Sequence, residues 1–123
     1  MILADTSVWV EHLRGNAGQL AALLERGMVV THPFVIGELV LGGIRVGSEV
    51  FELLHGLPGL SQATPAEILH FIDKQHLAGQ GAGYVDVHLL ASAILHDMQI
   101  YTLDKRLERL AESLGVGFKP APH

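Results

Sequence analysis

Met1-Ile-Leu-Ala-Asp5-Thr-Ser-Val-Trp9 decides how the rest of this chain is read. A short apolar run ends in a carboxylate, two hydroxyls follow, and the sequence then turns amphipathic. That order describes a buried strand that delivers one acid to its C-terminal edge and passes directly into a helix. In open α/β sheets, ligands bind outside the carboxyl ends of the strands, so Asp5 stands where such a protein places its chemistry. Asp is also a good helix N-cap, and Asp5 alone satisfies either description.

Outward from this stretch the same grammar repeats. Ser7 to Arg14 carries Trp9, Val10 and Leu13 on one side, and Ala17 to Arg26 places Leu20, Leu23 and Leu24 at helical spacing before a Gly27 C-cap. Met28 to Thr31 is a second β-rich run. Pro33 is placed as a first-turn proline behind a Thr31 or His32 cap, and Gly42-Gly43 stops that helix after Leu41. Gly47 to His55 predicts another helix, Gly56-Leu-Pro-Gly59 a turn, and Leu60 to Ala63 a third, weakly marked strand. Thr64-Pro-Ala-Glu67 is a capping box with proline at N1. Gly79-Gln-Gly-Ala-Gly83 is a loop, Tyr84 to Asp97 an apolar helix, Gln99 to Leu103 a strand, and Asp104 to Leu114 an amphipathic helix. Gly115 to Phe118 can add a last strand, and the tail Lys119-Pro-Ala-Pro-His123 is expected to fray. The alternation predicts α/β architecture, a parallel sheet with helices on both faces, in a single domain over residues 1–123.

Composition narrows the chemistry. With no cysteine in 123 residues there is no disulfide framework and no thiolate nucleophile or metal site. No signal segment and no membrane-spanning run is apparent, so a soluble, cytoplasmic protein is expected. A net charge of −5 argues against a broadly basic nucleic-acid binder, but acids gathered at a cation site would account for much of that excess. Lys105, Arg106, Arg109 and Lys119 form a local basic group, either a phosphate-facing patch or a solvated helix face. The eight histidines show no ligand spacing and are read as structural or surface residues. Asp97, about 16 Å of helical rise from Asp86, is a helix-end polar group rather than a partner of it.

Acids at positions that the pattern would fill with apolar residues are the informative ones. Glu38 interrupts Phe-Val-Ile-Gly-Glu-Leu-Val-Leu and is expected to be partly buried. Asp86 opens a helix after the glycine loop. Asp104 ends a strand and opens a helix, repeating the Asp5 arrangement. Brought to one sheet edge, four carboxylates could not all ionise without a counter-charge, which points to a hard divalent cation with oxygen ligands, Mg²⁺ or Mn²⁺, one or two ions.

Asp5-Thr6-Ser7, Gly37-Glu38-Leu39, Gly83-x-x-Asp86 with its Leu-Ala-Ser-Ala helix, and Thr102-x-Asp104 together resemble a PIN domain. The resemblance is specifically to the short VapC-type toxin ribonucleases of VapBC toxin–antitoxin pairs, in order and spacing over essentially the whole chain. It implies a PIN-like three-layer sandwich with a central parallel sheet of four to five short strands. It also implies a metal-dependent endoribonuclease in which Asp5, Glu38, Asp86 and Asp104 are catalytic and hold the metal. Thr6 and Thr102 would donate hydrogen bonds that orient those carboxylates. An RNA substrate, a VapB-type antitoxin that inhibits the toxin and a homodimer are implied too. Lys105 and Arg106 could contact RNA phosphates, and Trp9, Val10, Phe51 and Leu54 could form the antitoxin face. Rival readings are a haloacid-dehalogenase-like phosphatase, although Ser7 stands where its second acid is expected, a receiver-type domain, although Asp5 has no adjacent acid, and a PIN fold kept only for binding RNA or a partner.

Overall fold

The computed structural model describes residues 1–16 and 18–120. The expected helix start at Ala17 and the expected fraying of 121–123 lie outside the described residues. Three strands, β1 (Ile2–Ala4), β2 (Val29–Val30) and β3 (Gln99–Tyr101), alternate with seven helices among the described residues. The helices are α1 (Thr6–Leu13), α2 (Leu20–Glu25), α3 (Pro33–Leu41), α4 (Glu49–Gly56), α5 (Pro65–Lys74), α6 (Tyr84–Leu95) and α7 (Lys105–Ser113).

The sheet order is β2-β1-β3 and both pairings are parallel. The first strand is therefore central, and its residues Ile2, Leu3 and Ala4 are buried. Leu3 stands opposite Val30 on one side and Ile100 on the other. The four to five strands expected are corrected to three, extended at each edge by a single parallel bridge, Thr31 to Gly59 and Ile100 to Gly117. Those bridges carry ladder-type bonds: Leu60 N–H donates to the Thr31 carbonyl at 2.8 Å, and Phe118 N–H to that of Ile100 at 2.9 Å. The pairing stops there because the β2 side of the ladder gives way to α3 at Pro33, two residues after Thr31, and proline cannot donate to a ladder. The expected Leu60 to Ala63 strand is thus one bridge followed by a departing loop.

Local chemistry sets the helix starts. His32 Nδ1 accepts from Phe34 N–H at 3.0 Å, with Pro33 behind it at N1. Ser48 caps α4 through Phe51 N–H, and Thr64 with Glu67 completes a reciprocal capping box on α5. Asp97 ends the α6 segment with φ 55°, the left-handed conformation that Asp tolerates better than most residues.

One core surrounds β1, and Trp9 is its largest fully buried side chain. A smaller cluster of Ile68, Leu77 and Val87 joins α5 to α6. This corrects the expected antitoxin face: Trp9 and Leu54 are fully buried within the chain's own core, whereas Val10 and Phe51 are half-buried. Helical spacing cannot tell which apolar stripe a second helix will cover, and α1 is covered by both α2 and α3. Among the described residues, no helix is long and apolar enough to cross a membrane.

Candidate active site

Because β1, β2 and β3 run parallel, their carboxyl ends share one edge, and Asp5 leaves the central strand there with its N–H bonded to the Tyr101 carbonyl at 3.0 Å. Asp5 is buried and held at both carboxylate oxygens. Its Oδ1 accepts from Ser7 Oγ at 2.6 Å and from Val8 N–H at 3.2 Å, the latter capping α1. Its Oδ2 accepts from Thr102 Oγ1 at 2.5 Å. A carboxylate offers about four lone-pair directions, so roughly one remains, on Oδ2.

The two hydroxyls are themselves locked. Ser7 Oγ accepts from Leu103 N–H at 2.9 Å, and Thr102 Oγ1 from Asp104 N–H at 3.0 Å. The turn after β3 is thereby stitched to the turn after β1, which fixes the Asp5 carboxylate in orientation. Ser7 is the residue that sequence reasoning passed over as a supporting group. Its only signal was its place two residues beyond Asp5, where a hydroxyl can fold back onto the preceding carboxylate. Burial pushes the Asp5 carboxyl above the usual range; the bonds from Ser7, Thr102 and Val8 pull it back, and Asp104 nearby adds to the rise.

The other acids arrive from separate elements. Asp104 caps α7, its Oδ1 accepting from Arg106 N–H at 2.9 Å and Leu107 N–H at 3.0 Å. Asp86 lies in the first turn of α6 and is half-buried. Glu38 is exposed, not partly buried as its apolar neighbours suggested. Val35 and Leu39 take the inward face of α3, while Leu41 is 89% exposed, so the helix is apolar on its outer face as well. Thr6 Oγ1 donates to Glu38 Oε1 at 2.6 Å and ties α1 to α3.

Electrostatics shows that the four acids share one field. The Asp86 carboxyl is pushed up to about 6, first by burial, then by Asp104, Asp5 and Glu38, with Arg106 opposing. Above pH 6 Asp86 is ionised in both folded and unfolded chains, and the fold disfavours that form. The cost fades as pH falls from about 6 towards 3.8, where the unfolded chain protonates as well. Asp86→Asn is therefore expected to raise the melting temperature of the metal-free protein at pH 7.5. The gain is about 3–6 °C, equivalent to roughly 1 kcal/mol after allowance for solvent screening of a half-exposed group. Thermal scans from pH 7.5 down to 4 should show that gain shrinking below pH 6.

Among the described residues, no three Asp, Glu or His side chains already enclose a point where an ion would sit. The donor set nevertheless fits a hard cation. It is all oxygen, its charges crowd one another, and its open side suits an ion that keeps several waters and takes one or two carboxylates. Asp86 and Asp104 line one groove with Lys105, Arg106 and Arg109. The Arg106 guanidinium donates from Nη1 to the Gly81 carbonyl at 2.9 Å. Gly81 has φ 77°, and a Cβ there would meet the guanidinium at 3.5 Å, so the loop is tethered at a position that favours glycine. A separate, mostly apolar groove between α5 and α6, walled by Phe71, Ala91 and Leu95, carries among the described residues a single carboxylate, Glu67. Two histidines are buried beside the site. Burial, and to a lesser degree His88, holds His32 down at about 4, and burial lowers His88 as well, so both rings are neutral near pH 7.

Comparison with known proteins places the chain in a family. The PIN domain family model matches residues 2–113. Ribonuclease VapC32, from two strains of Mycobacterium tuberculosis, is 41% identical over 117 residues, 94% of this chain and 94% of the relative. The crystal structure of FitAcB from Neisseria gonorrhoeae superposes with a TM-score of 0.61 over 91% of this chain and 94% of that one, at 21% identity, a likeness of fold. The phosphatase and receiver alternatives fall away: this chain belongs to the PIN-domain family and is a homologue of the VapC ribonucleases.

Proposed function

We propose that this chain is a divalent-metal-dependent endoribonuclease, the toxin of a type II toxin–antitoxin pair, acting in the cytoplasm on RNA phosphodiester bonds. The observation that carries the metal-dependent chemistry is the shared field at Asp86, whose carboxyl is raised by Asp104, Asp5 and Glu38 together. A cation relieves that repulsion and is the counter-charge a polyanionic substrate needs in an acidic pocket. Asp5, Asp86, Asp104 and Glu38 would hold Mg²⁺ or Mn²⁺, one or two ions. When bound, the metal lowers the pKa of water and stabilises charge on the phosphate oxygens.

The chain's own residues do the positioning. Ser7 and Thr102 fix both Asp5 oxygens, so its remaining lone pair points one way. Thr6 would orient Glu38, which it binds from α1. Lys105 and Arg106 offer positive charge on the α7 side of the groove, where the phosphates flanking the cleaved bond would lie. A VapB-type antitoxin and a homodimer complete the proposal, with half-buried Val10 and Phe51 remaining as candidates for the antitoxin face.

The test is direct. Purified chain incubated with end-labelled RNA should yield internal cleavage products with Mg²⁺ or Mn²⁺ and none with excess EDTA, and activity should return when Mn²⁺ is added back. Cleavage that persists in EDTA would sink the metal-dependent reading.

A further inference from the structure

Tyr84 is the one exposed Phe, Tyr or Trp among the described residues, with 53% of its surface accessible. It is the first residue of α6, two positions before Asp86. Its ring is the outer end of an aromatic ladder: it meets His88 edge-on at 4.9 Å, His88 meets Phe34 at 4.5 Å, and Phe34 meets His32 at 5.2 Å. His32 and His88 are buried. The ladder runs between the two helices that carry Glu38 and Asp86, since Phe34 and Glu38 are one helical turn apart on α3.

A solitary exposed ring is ordinarily unremarkable. This one is braced from the core, opens the helix that carries Asp86, and has glycines at 79, 81 and 83 before it rather than an apolar patch. Across Asp86 and Asp104, Lys105, Arg106 and Arg109 line the groove and form no ion pair among the described residues. Gly83, the residue before Tyr84, lines the same groove, so a braced ring adjoins a groove that carries cations, the pairing that binds a single nucleic-acid strand: stacking holds a base and charge holds the backbone. A protein partner would favour a contiguous apolar surface, which the glycine loop does not offer.

We propose that Tyr84 is a base-stacking residue that takes an unpaired RNA base beside the cleaved phosphate, making the site selective for single-stranded or looped RNA over duplex. Paired bases have both faces covered by their neighbours, whereas splayed bases present theirs to aromatic side chains. The inference rests on the ribonuclease reading for its substrate class, and binding measured apart from cleavage separates the two.

The experiment uses the full chain with Asp5→Asn, so that RNA stays intact, and one fluorescein-labelled RNA oligonucleotide, single-stranded or annealed to its complement. Tyr84→Ala should weaken single-strand binding about tenfold and leave duplex binding unchanged. The salt slope should not move, because no phosphate contact is lost. Tyr84→Phe should restore affinity. Tyr84→Leu, which keeps an apolar contact with His88, should behave as Tyr84→Ala does, with melting temperatures of all variants within a few degrees. In the Tyr84 protein, 2-aminopurine placed along the strand should be quenched at one position, and that quenching should vanish in Tyr84→Leu. Equal losses for both RNA forms, no rescue by Phe, or unchanged RNA affinity with weakened binding of a protein partner would overturn the proposal. If RNA is never cleaved by the Asp5 chain yet binding depends on Tyr84, the ribonuclease reading falls and the stacking role stands. Cleavage with Tyr84-independent binding has the reverse meaning.

Discussion

Asp5→Asn is expected to abolish RNA cleavage while leaving the fold as stable as before, or more so. Asn is isosteric, caps helices as well as Asp does, and retains an oxygen for Val8 N–H and the Ser7 hydroxyl, the two donors to Oδ1. Its amide group would face Thr102 Oγ1, which can rotate to accept a bond in place of donating one. Removing a buried charge also relieves Asp86, whose carboxyl Asp5 helps to raise. What is lost is the negative oxygen with a free lone pair at the centre of the cluster. Changes to the partners of a metal ligand typically cost 10–100-fold, so loss of the ligand itself should cost on the order of 10³-fold or more. Rates on labelled RNA with Mn²⁺, beside thermal melts, check both halves. A variant that melts normally and still cleaves within tenfold of the parent would remove Asp5 from the site. Thr102→Val, which loses a hydroxyl that donates to Asp5 Oδ2 and accepts from Asp104 N–H, should fall between the two in activity.

The second large effect is on folding. Trp9→Ala should destabilise the chain by about 3–5 kcal/mol, a large part of the roughly 5–15 kcal/mol that domains possess. Trp9 is wholly enclosed, with α2 and α3 packed on α1, and its ring meets only His12 edge-on at 5.9 Å among aromatic neighbours. Its indole Nε1 is buried without a hydrogen-bond partner among the described residues. Trp9→Phe therefore loses volume but also removes an orphaned donor, whose burial costs about 1–3 kcal/mol, and should cost much less than Trp9→Ala. Urea melts of the isolated chain settle this. If Trp9 instead served a partner, Trp9→Ala would leave the isolated chain's stability unchanged and weaken only the complex.

Asp5 and Asp104 could be found in the sequence because each ends a β-rich run and opens a helix, a pattern carried by a few adjacent residues. The capping box at Thr64 and the His32-Pro33 start are local in the same sense, and the structure shows both. The edges of the sheet were not local. Whether Leu60 continues as a strand depends on a partner nearly thirty residues away, and the start of α3 at Pro33 ended the pairing after a single bridge. Glu38 was misjudged as partly buried, since the neighbours of a helical residue reveal how apolar the helix is but not which side faces the core.

Residue order by itself determined the α/β class, the helix starts, the absence of thiolate chemistry and the four acids worth watching, because these rest on periodicity, capping and side-chain type. Only the tertiary structure decided that Ser7 and Thr102 hold opposite oxygens of Asp5, that three acids from distant segments raise Asp86 together, that Trp9 belongs to the core, and that Tyr84 is the ring left outside. Hydrogen bonds and Coulomb interactions act over a few ångströms of space, and the turns that bring residue 5 to residue 102 are set by parallel pairing of strands almost a hundred residues apart.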